Sequence, residues 1–375
     1  MSSGWTRTTL GGVAAVNPKM GSLSEDAPFV PMDAVHAGKR FVAYYESRGE
    51  RSGARAFGGD VLFARITPCL ENGKVAQLPY GAGPCGGSTE FIVIRGSELI
   101  SSDFIYFWAS SEETRNTAAG LMTGTTGRQR LSWQDLSSIE LDLPPIEEQR
   151  RIVDLVSSVD TYIDALQQQA VMAREARKAV LHELLSTGGD DWTETTLGEL
   201  CEIYQPETIS KAKMDDSAPY VVYGANGPVG RYSRFNHEEP EVVVTCRGAT
   251  CGVVNMTPSN CWITGNAMVV KPKDKRSTKW FLYWALQTTV DVHAAISGSA
   301  QPQITRTSLA PSKIKVPPLV EQKRIVEIVS SMDALIQSAD NAVANAKNLR
   351  SGLLSELLSG AHEIPEAYDR LLGAA

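Results

Sequence analysis

"PPIEEQRRIV" at residues 144–153 and "PPLVEQKRIV" at 317–326 are nearly the same ten residues, written twice in one chain. A repeated catalytic motif would carry a nucleophile, a metal ligand or a phosphate cradle. This stretch carries two prolines, which favour an extended approach and then the first turn of a helix. Beyond them, apolar residues recur at alternating spacings of four and three. The first copy gives Ile152, Val156, Val159, Ile163, Leu166, Ala170, Ala173, Arg177, Val180 and Leu184. The second gives Ile325, Val329, Met332, Ile336, Ala339, Val343, Ala346, Arg350, Leu353 and Leu357. Each is a heptad seam interrupted once, at the same step, by an arginine. About 40 residues of helix extend roughly 60 Å, and so much exposed apolar surface is unstable alone in water. The two copies are therefore expected to bury their seams against each other. An antiparallel pair is favoured, which puts the two intervening blocks at opposite ends of a rod about an approximate two-fold. Arg177 and Arg350 either fix the register of the pair or extend their charged ends to solvent.

The repetition runs further. "WTRTTLGG" at 5–12 returns as "WTETTLGE" at 192–199, and "LHELLSTG" at 181–188 as "LSELLSGA" at 354–361. The chain thus reads as variable block, helix, variable block, helix. The boundaries fall at 1–143, 144–188, 189–316 and 317–361, with a tail at 362–375. Each block is mixed and mostly β. Strands are expected within 58–66, 88–96, 240–248 and 266–272, aromatic-rich helices at 104–119 and 279–296, and glycine loops at 81–87 and 224–230. The fold class is α+β: two mixed α/β domains separated by a long antiparallel two-helix coiled coil, an internal duplication.

Composition narrows the function. With 375 residues, 42% hydrophobic and 21% charged, the chain is ordinary globular material of two or three domains. Neither a signal peptide nor a membrane span is visible, and six scattered cysteines make no disulfide framework. A cytoplasmic protein with reduced thiols is expected. The net charge of −7 argues against sequence-blind binding of nucleic acid but leaves local basic patches open. No P-loop, nucleophile elbow or HExxH motif occurs. The prolines lack the preceding Asn or Asp of an adenine-methyltransferase loop. Five isolated histidines, and Cys246, Cys251 and Cys261 without Cys-x-x-Cys spacing, give no metal site. Asp60, Glu71 and Lys74 have the wrong spacing for a nuclease.

What remains is polar, glycine-rich loop chemistry. "TGTTGRQRLS" (123–132) and "SGSAQPQITRTS" (297–308) occupy corresponding places and mix Gly, Thr, Ser and Gln with Arg. Such residues offer amides and hydroxyls to phosphates, and Arg and Gln to base edges; ordinary solvated turns share the composition. "FARITPCLENGK" (63–74) and "TCRGATCG" (245–252) each set an arginine after a strand.

Two variable blocks, each followed by a [LV]PP[IL]xEQ[RK]RIV helix with an LLS-like end, resemble the specificity subunit of a Type I restriction–modification system. "YVVYGANGPVGRYSRFNHEEPEVVVTCRGATCG" (220–252) and "GDVLFARITPCLENGK" with "GGSTEFIVIR" resemble the cores of that family's target-recognition domains. The resemblance covers essentially the whole chain. It implies that each block reads one half of a split, asymmetric DNA target and that the helices act as a ruler for the unread spacer. Two methyltransferase subunits would dock around the helices, with two restriction subunits where a system has them. The chain itself would be non-catalytic and hold no cofactor. S-adenosylmethionine would belong to the methyltransferase partner, and ATP and Mg to a restriction partner. The alternative is the specificity component of a Type IIB-like enzyme. By position, DNA contacts in the first block are expected from Arg65, Lys74, Thr89, Thr123, Thr125, Thr126, Arg128, Gln129 and Arg130. In the second they are expected from Tyr223, Asn226, Arg231, Arg247, Thr250, Asn266, Ser299, Gln301, Gln303 and Thr305. The acidic balance implies weak DNA binding by the chain alone and strong binding with its partners.

Overall fold

The computed structural model describes residues 4–125, 127–298 and 301–370. Two helices dominate it, Ile146–Ser186 and Leu319–Leu358. The chain divides into two compact units, residues 1–167 with 341–375, and residues 168–340. Both long helices are therefore shared between the units. Each unit contains one variable block, the first half of one helix and the second half of the other.

Within each unit the helical halves run antiparallel, as ion pairs across them record. In the first unit Arg350 pairs with Asp160, and the tail's Asp369 pairs with Arg151. In the second, Arg177 pairs with Asp333 and Arg174 with Asp340. The interrupting arginines thus bridge to an aspartate one helix over. They also lie on aromatic rings of the adjoining block, Arg177 over Trp284 at 4.4 Å and Arg350 over Phe107 at 5.8 Å. A guanidinium held by a carboxylate and a ring face is fixed in two directions.

Of the seam, Ile152, Val156, Ile163, Ala170, Ile325, Val329 and Leu357 are buried; Val159, Leu166, Ala173, Val180, Leu184, Met332, Ile336, Ala339, Val343, Ala346 and Leu353 are half-buried. The seam does not serve the helix pair alone. Ile152, Val156, Leu354 and Leu357 join the core of the first block, and Ile325, Val329, Leu181 and Leu185 join that of the second. The leucines 181, 185 and 354 form a second stripe that the heptad pattern left out.

The repeated motif is a fastening. Gln149 and Gln322 are fully buried. Gln149 Nε2 donates to the Leu99 and Pro144 carbonyls at 2.8 and 3.0 Å, and its Oε1 accepts from the Ser101 amide at 3.0 Å. Gln322 repeats this with Arg276, Pro317 and Thr278, at 2.6, 2.9 and 2.8 Å. Ser101 and Thr278 are the N-caps of helices Ser102–Ser110 and Lys279–Thr288, so one amide ties the start of a long helix to the start of a domain helix. The neighbouring glutamates take the indole N–H of the repeated tryptophans, Trp5 to Glu148 at 2.9 Å and Trp192 to Glu321 at 3.1 Å.

Each unit's central sheet has four antiparallel strands. In the first the order is Ala15–Val16, Phe91–Arg95, Val61–Ala64, Val75–Gln77; in the second it is Cys201–Tyr204, Ala267–Pro272, Val242–Thr245, Val254–Met256. The middle strands are buried on both faces, which is why they read as continuous apolar runs.

Three expectations change. The stretch 104–119 is two helices, Ser102–Ser110 and Glu112–Gly120, because Ser111 turns extended and caps the second through the Thr114 amide. The stretch 279–296 stops as an α-helix at Thr288 and resumes only as a short 3₁₀ turn, His293–Ala295. The glycine clusters are not only loops: Cys85–Gly87 is a buried strand of a second sheet, and Pro228–Tyr232 pairs with Tyr220–Tyr223. A Cβ on Gly86 would stand 3.0 Å from the Phe29 ring, so glycine there serves packing. The tail also packs. Ile364 is buried, and the Tyr368 hydroxyl donates to Asp154 at 2.7 Å, with burial and that carboxylate pushing the phenol up to about 12.

All six cysteines are unpaired. Among the described residues no helix is long and apolar enough to cross a membrane, and no three His, Cys, Asp or Glu gather where they could hold a metal.

Candidate nucleic-acid interface

Several of the described residues proposed from the loops, Arg65, Thr123 and Arg130 in the first unit and Arg247 and Gln303 in the second, are tied together by backbone bonds just past a strand of each central sheet. In the first unit the chain leaves strand Val61–Ala64 through Arg65. The Arg65 amide donates to the Glu90 carbonyl at 2.9 Å, and its carbonyl accepts from the Leu131 amide at 2.8 Å. A small hairpin stands beside it, closed by reciprocal Thr123 and Arg130 backbone bonds of 3.0 and 2.8 Å. Gly124 and Gly127 take positive φ (131° and 79°) to turn it.

The second unit builds the same frame. The Cys246 amide donates to the Asn266 carbonyl at 3.1 Å, and the Cys246 carbonyl accepts from Ile304 at 3.0 Å. Its hairpin is closed by reciprocal Ser297 and Gln303 bonds of 2.9 Å. The bridges Ile66 to Arg130 and Arg247 to Gln303 complete the match. Arg65 therefore corresponds to Cys246, and Arg247 to Ile66. The two arginines that follow the strands are one residue out of step and belong to opposite faces.

Side chains at these tips divide into free and engaged. Thr89, Thr123, Thr125 and Arg128 are exposed in the first unit, and Asn226, Arg247, Thr250, Asn266, Gln301 and Gln303 in the second. Asn226 already accepts from Asn255 at 2.7 Å. Several candidates are held internally. Lys74 donates to the Met32 carbonyl at 2.9 Å, and Arg130 forks onto Glu90 at 2.8–3.1 Å. Gln129 is fixed by its backbone to Thr67. Arg231 is anchored to the carbonyls of Ala218 and Pro219, Tyr223 is buried, and Thr305 caps the short helix Arg306–Leu309. Thr126 and Ser299 lie outside the described residues. Sequence reasoning passed over Asn17, Lys19 and Arg55, which line the same groove as Arg65 and Thr89. For Asn17 and Lys19 the only signal was "NPK" after the first strand of the sheet.

A buried polar group lies deeper in the second unit. Glu241 bonds Lys279 and Lys271 through one oxygen, and its other oxygen is buried without a partner. Nearby, His237 Nε2 is 2.9 Å from the Tyr204 hydroxyl, and burial holds its imidazole below the ordinary range.

The model of the Type I restriction modification DNA specificity domain matches residues 2–171 and again 189–345. The chain belongs to that family. The two matches correspond to the two copies of the module that the sequence repeats. The chain is 29% identical over 210 residues to the EcoAI specificity subunit of Escherichia coli, covering 53% of this chain and 35% of that one. It is 21% identical over 334 residues to the putative MjaX specificity subunit of Methanocaldococcus jannaschii, covering 80% and 78%. The chain thus spans about a third of the length of the Escherichia coli relative. Among solved structures, a chain from work on complex assembly and conformational transition of the type I R-M system matches with a TM-score of 0.69 at 22% identity, over 95% of this chain and 98% of that one. The HsdS subunit of Thermoanaerobacter tengcongensis matches at 0.52 and 21%, over 96% and 98%. At these identities the likeness is one of fold.

Proposed function

We infer that this member of the specificity family is a non-catalytic DNA reader in which each unit contacts one half of a split target. The observation that carries this is the double construction of the tip. One backbone frame, closed by the same hydrogen bonds, presents different side chains in the two units. A frame kept the same while its reading side chains differ suits two unlike half-sites on one scaffold. The repeated helices would present equivalent surfaces to two methyltransferase subunits in the cytoplasm, and restriction subunits would join where the system has them. S-adenosylmethionine would enter with the methyltransferase, and ATP and Mg with a restriction partner.

The acidic total supports a division of labour in which partners supply much of the phosphate contact. The test is to express the chain with its methyltransferase and sequence the host DNA for methylated adenines. A split motif that depends on this chain is expected; methylation unchanged by its deletion would refute the reading.

A further inference from the structure

The tips differ most at the position shared by Arg65 and Cys246. In the first unit a groove of 630 Å³ opens there, bounded by Asn17, Lys19, Arg55, Arg65 and Thr89 over the buried ring of Phe91. Three of its lining residues are cationic and none is acidic, in a chain whose net charge is −7. The wall is rigid. Asn17 exchanges two hydrogen bonds with Val93, at 2.7 and 2.9 Å, and Arg55 Nη1 donates to the Met20 and Gly21 carbonyls at 3.1 and 3.0 Å. Arg65 Nε is buried with no hydrogen-bond partner. Arg65 as a whole is half-buried, lines the groove, and makes no side-chain hydrogen bond or ion pair among the described residues, so its guanidinium is left for an acceptor brought by a ligand.

The second unit shuts the same place. Along the paired strands Asn17 corresponds to Tyr204, and two residues on Lys19 corresponds to Pro206, which carries no charge. The Gln205 amide donates to Cys246 Sγ at 3.0 Å and to the Gly265 carbonyl at 3.2 Å, filling the position from within.

Resting on the DNA-reading function, we propose that the groove of the first unit is a base-reading cleft in which Arg65 donates to an acceptor pair on a base edge, with Lys19 holding a neighbouring phosphate. The acceptor pair that fits a guanidinium is the O6 and N7 of guanine. The second unit has no counterpart at that position and must read its half-site from the exposed Arg247 face.

The test uses the full chain assembled with its methyltransferase, and duplexes carrying the methylated motif or a scrambled one. Arg65→Lys keeps the charge but loses the fork. It is expected to bind scrambled DNA within about twofold of wild type while losing roughly 10–100-fold on the cognate duplex, with relaxed preference at one base pair of one half-site. Lys19→Ala is expected to weaken both duplexes alike and reduce the salt slope by about one. Because Arg65 Nε bonds nothing in the chain, thermal unfolding of Arg65→Lys should match wild type. Cognate binding by Arg65→Lys equal to wild type, or equal loss on both duplexes, would overturn the cleft while leaving the DNA-reading function in place. A wild-type complex that cannot tell the motif from the scramble would overturn both.

Discussion

The two tips share a frame and differ in chemistry, while the two helix roots share both. At the roots, Gln149 and Gln322 make the same three bonds, and Trp5 and Trp192 reach the same glutamates. At the tips, Arg65 lines an open cationic groove where Cys246 is covered by Gln205. Hydrogen-bond satisfaction fixes the roots, because a change there strands several buried groups at once. The tips carry their bonds on the backbone, which leaves their side chains free to vary.

This contrast can be broken at the roots first. Gln149→Ala and Gln322→Ala should each destabilise by about 3 kcal/mol, since each leaves a buried amide and two carbonyls unsatisfied. Denaturant unfolding followed by limited proteolysis should show the loss in the first unit for Gln149 and in the second for Gln322. A loss below about 1 kcal/mol would mean the motif is not a fastening.

The arginine bridges come next. Both are partly solvent-exposed, with side-chain exposures of 21% and 34% for Arg350 and Asp160 and of 18% and 43% for Arg177 and Asp333. Double-mutant cycles should therefore give coupling of about 1 kcal/mol in each unit. A clear inequality between the two cycles would break the equivalence of the roots.

A smaller effect separates the units by pH. Burial lowers the proton affinity of His237 in the folded chain, so below the ordinary value of 6.5 the unfolded chain binds the proton first. Stability of the second unit should decline as pH falls through that region, with a slope of at most one proton, and His237→Gln should flatten it. Monitoring the two units separately by hydrogen exchange checks this. Smallest of all, Arg128→Ala should leave stability within about 0.5 kcal/mol, because the side chain is exposed.

The long helices were legible because a heptad pattern is periodic, and the fixed step of Arg177 and Arg350 marked them as equivalent. The burial of Gln149 and Gln322 was not legible. A glutamine in the first turn of a helix reads as surface, and only the domain folded over it reveals three partners. The burial of Tyr223, the anchoring of Arg231 and the capping by Thr305 were hidden for a related reason. Residue type suggests contact chemistry, but local hydrogen bonds decide whether the side chain is available. Asn17 and Lys19 were missed because they are distant in sequence from Arg65 and meet it only across the sheet. The one-residue offset between Arg65 and Arg247 was hidden too, since strand alternation turns a shift of one into a change of face.

The most direct measurement assembles the chain with the methyltransferase proposed as its partner and reads preference at each half-site separately, for Arg65→Ala and for Arg247→Ala. Loss of discrimination confined to one half-site for the first variant, and to the other half-site for the second, is the expected result. Both variants acting on the same half-site, or neither altering preference at any base pair, would contradict two units reading two halves.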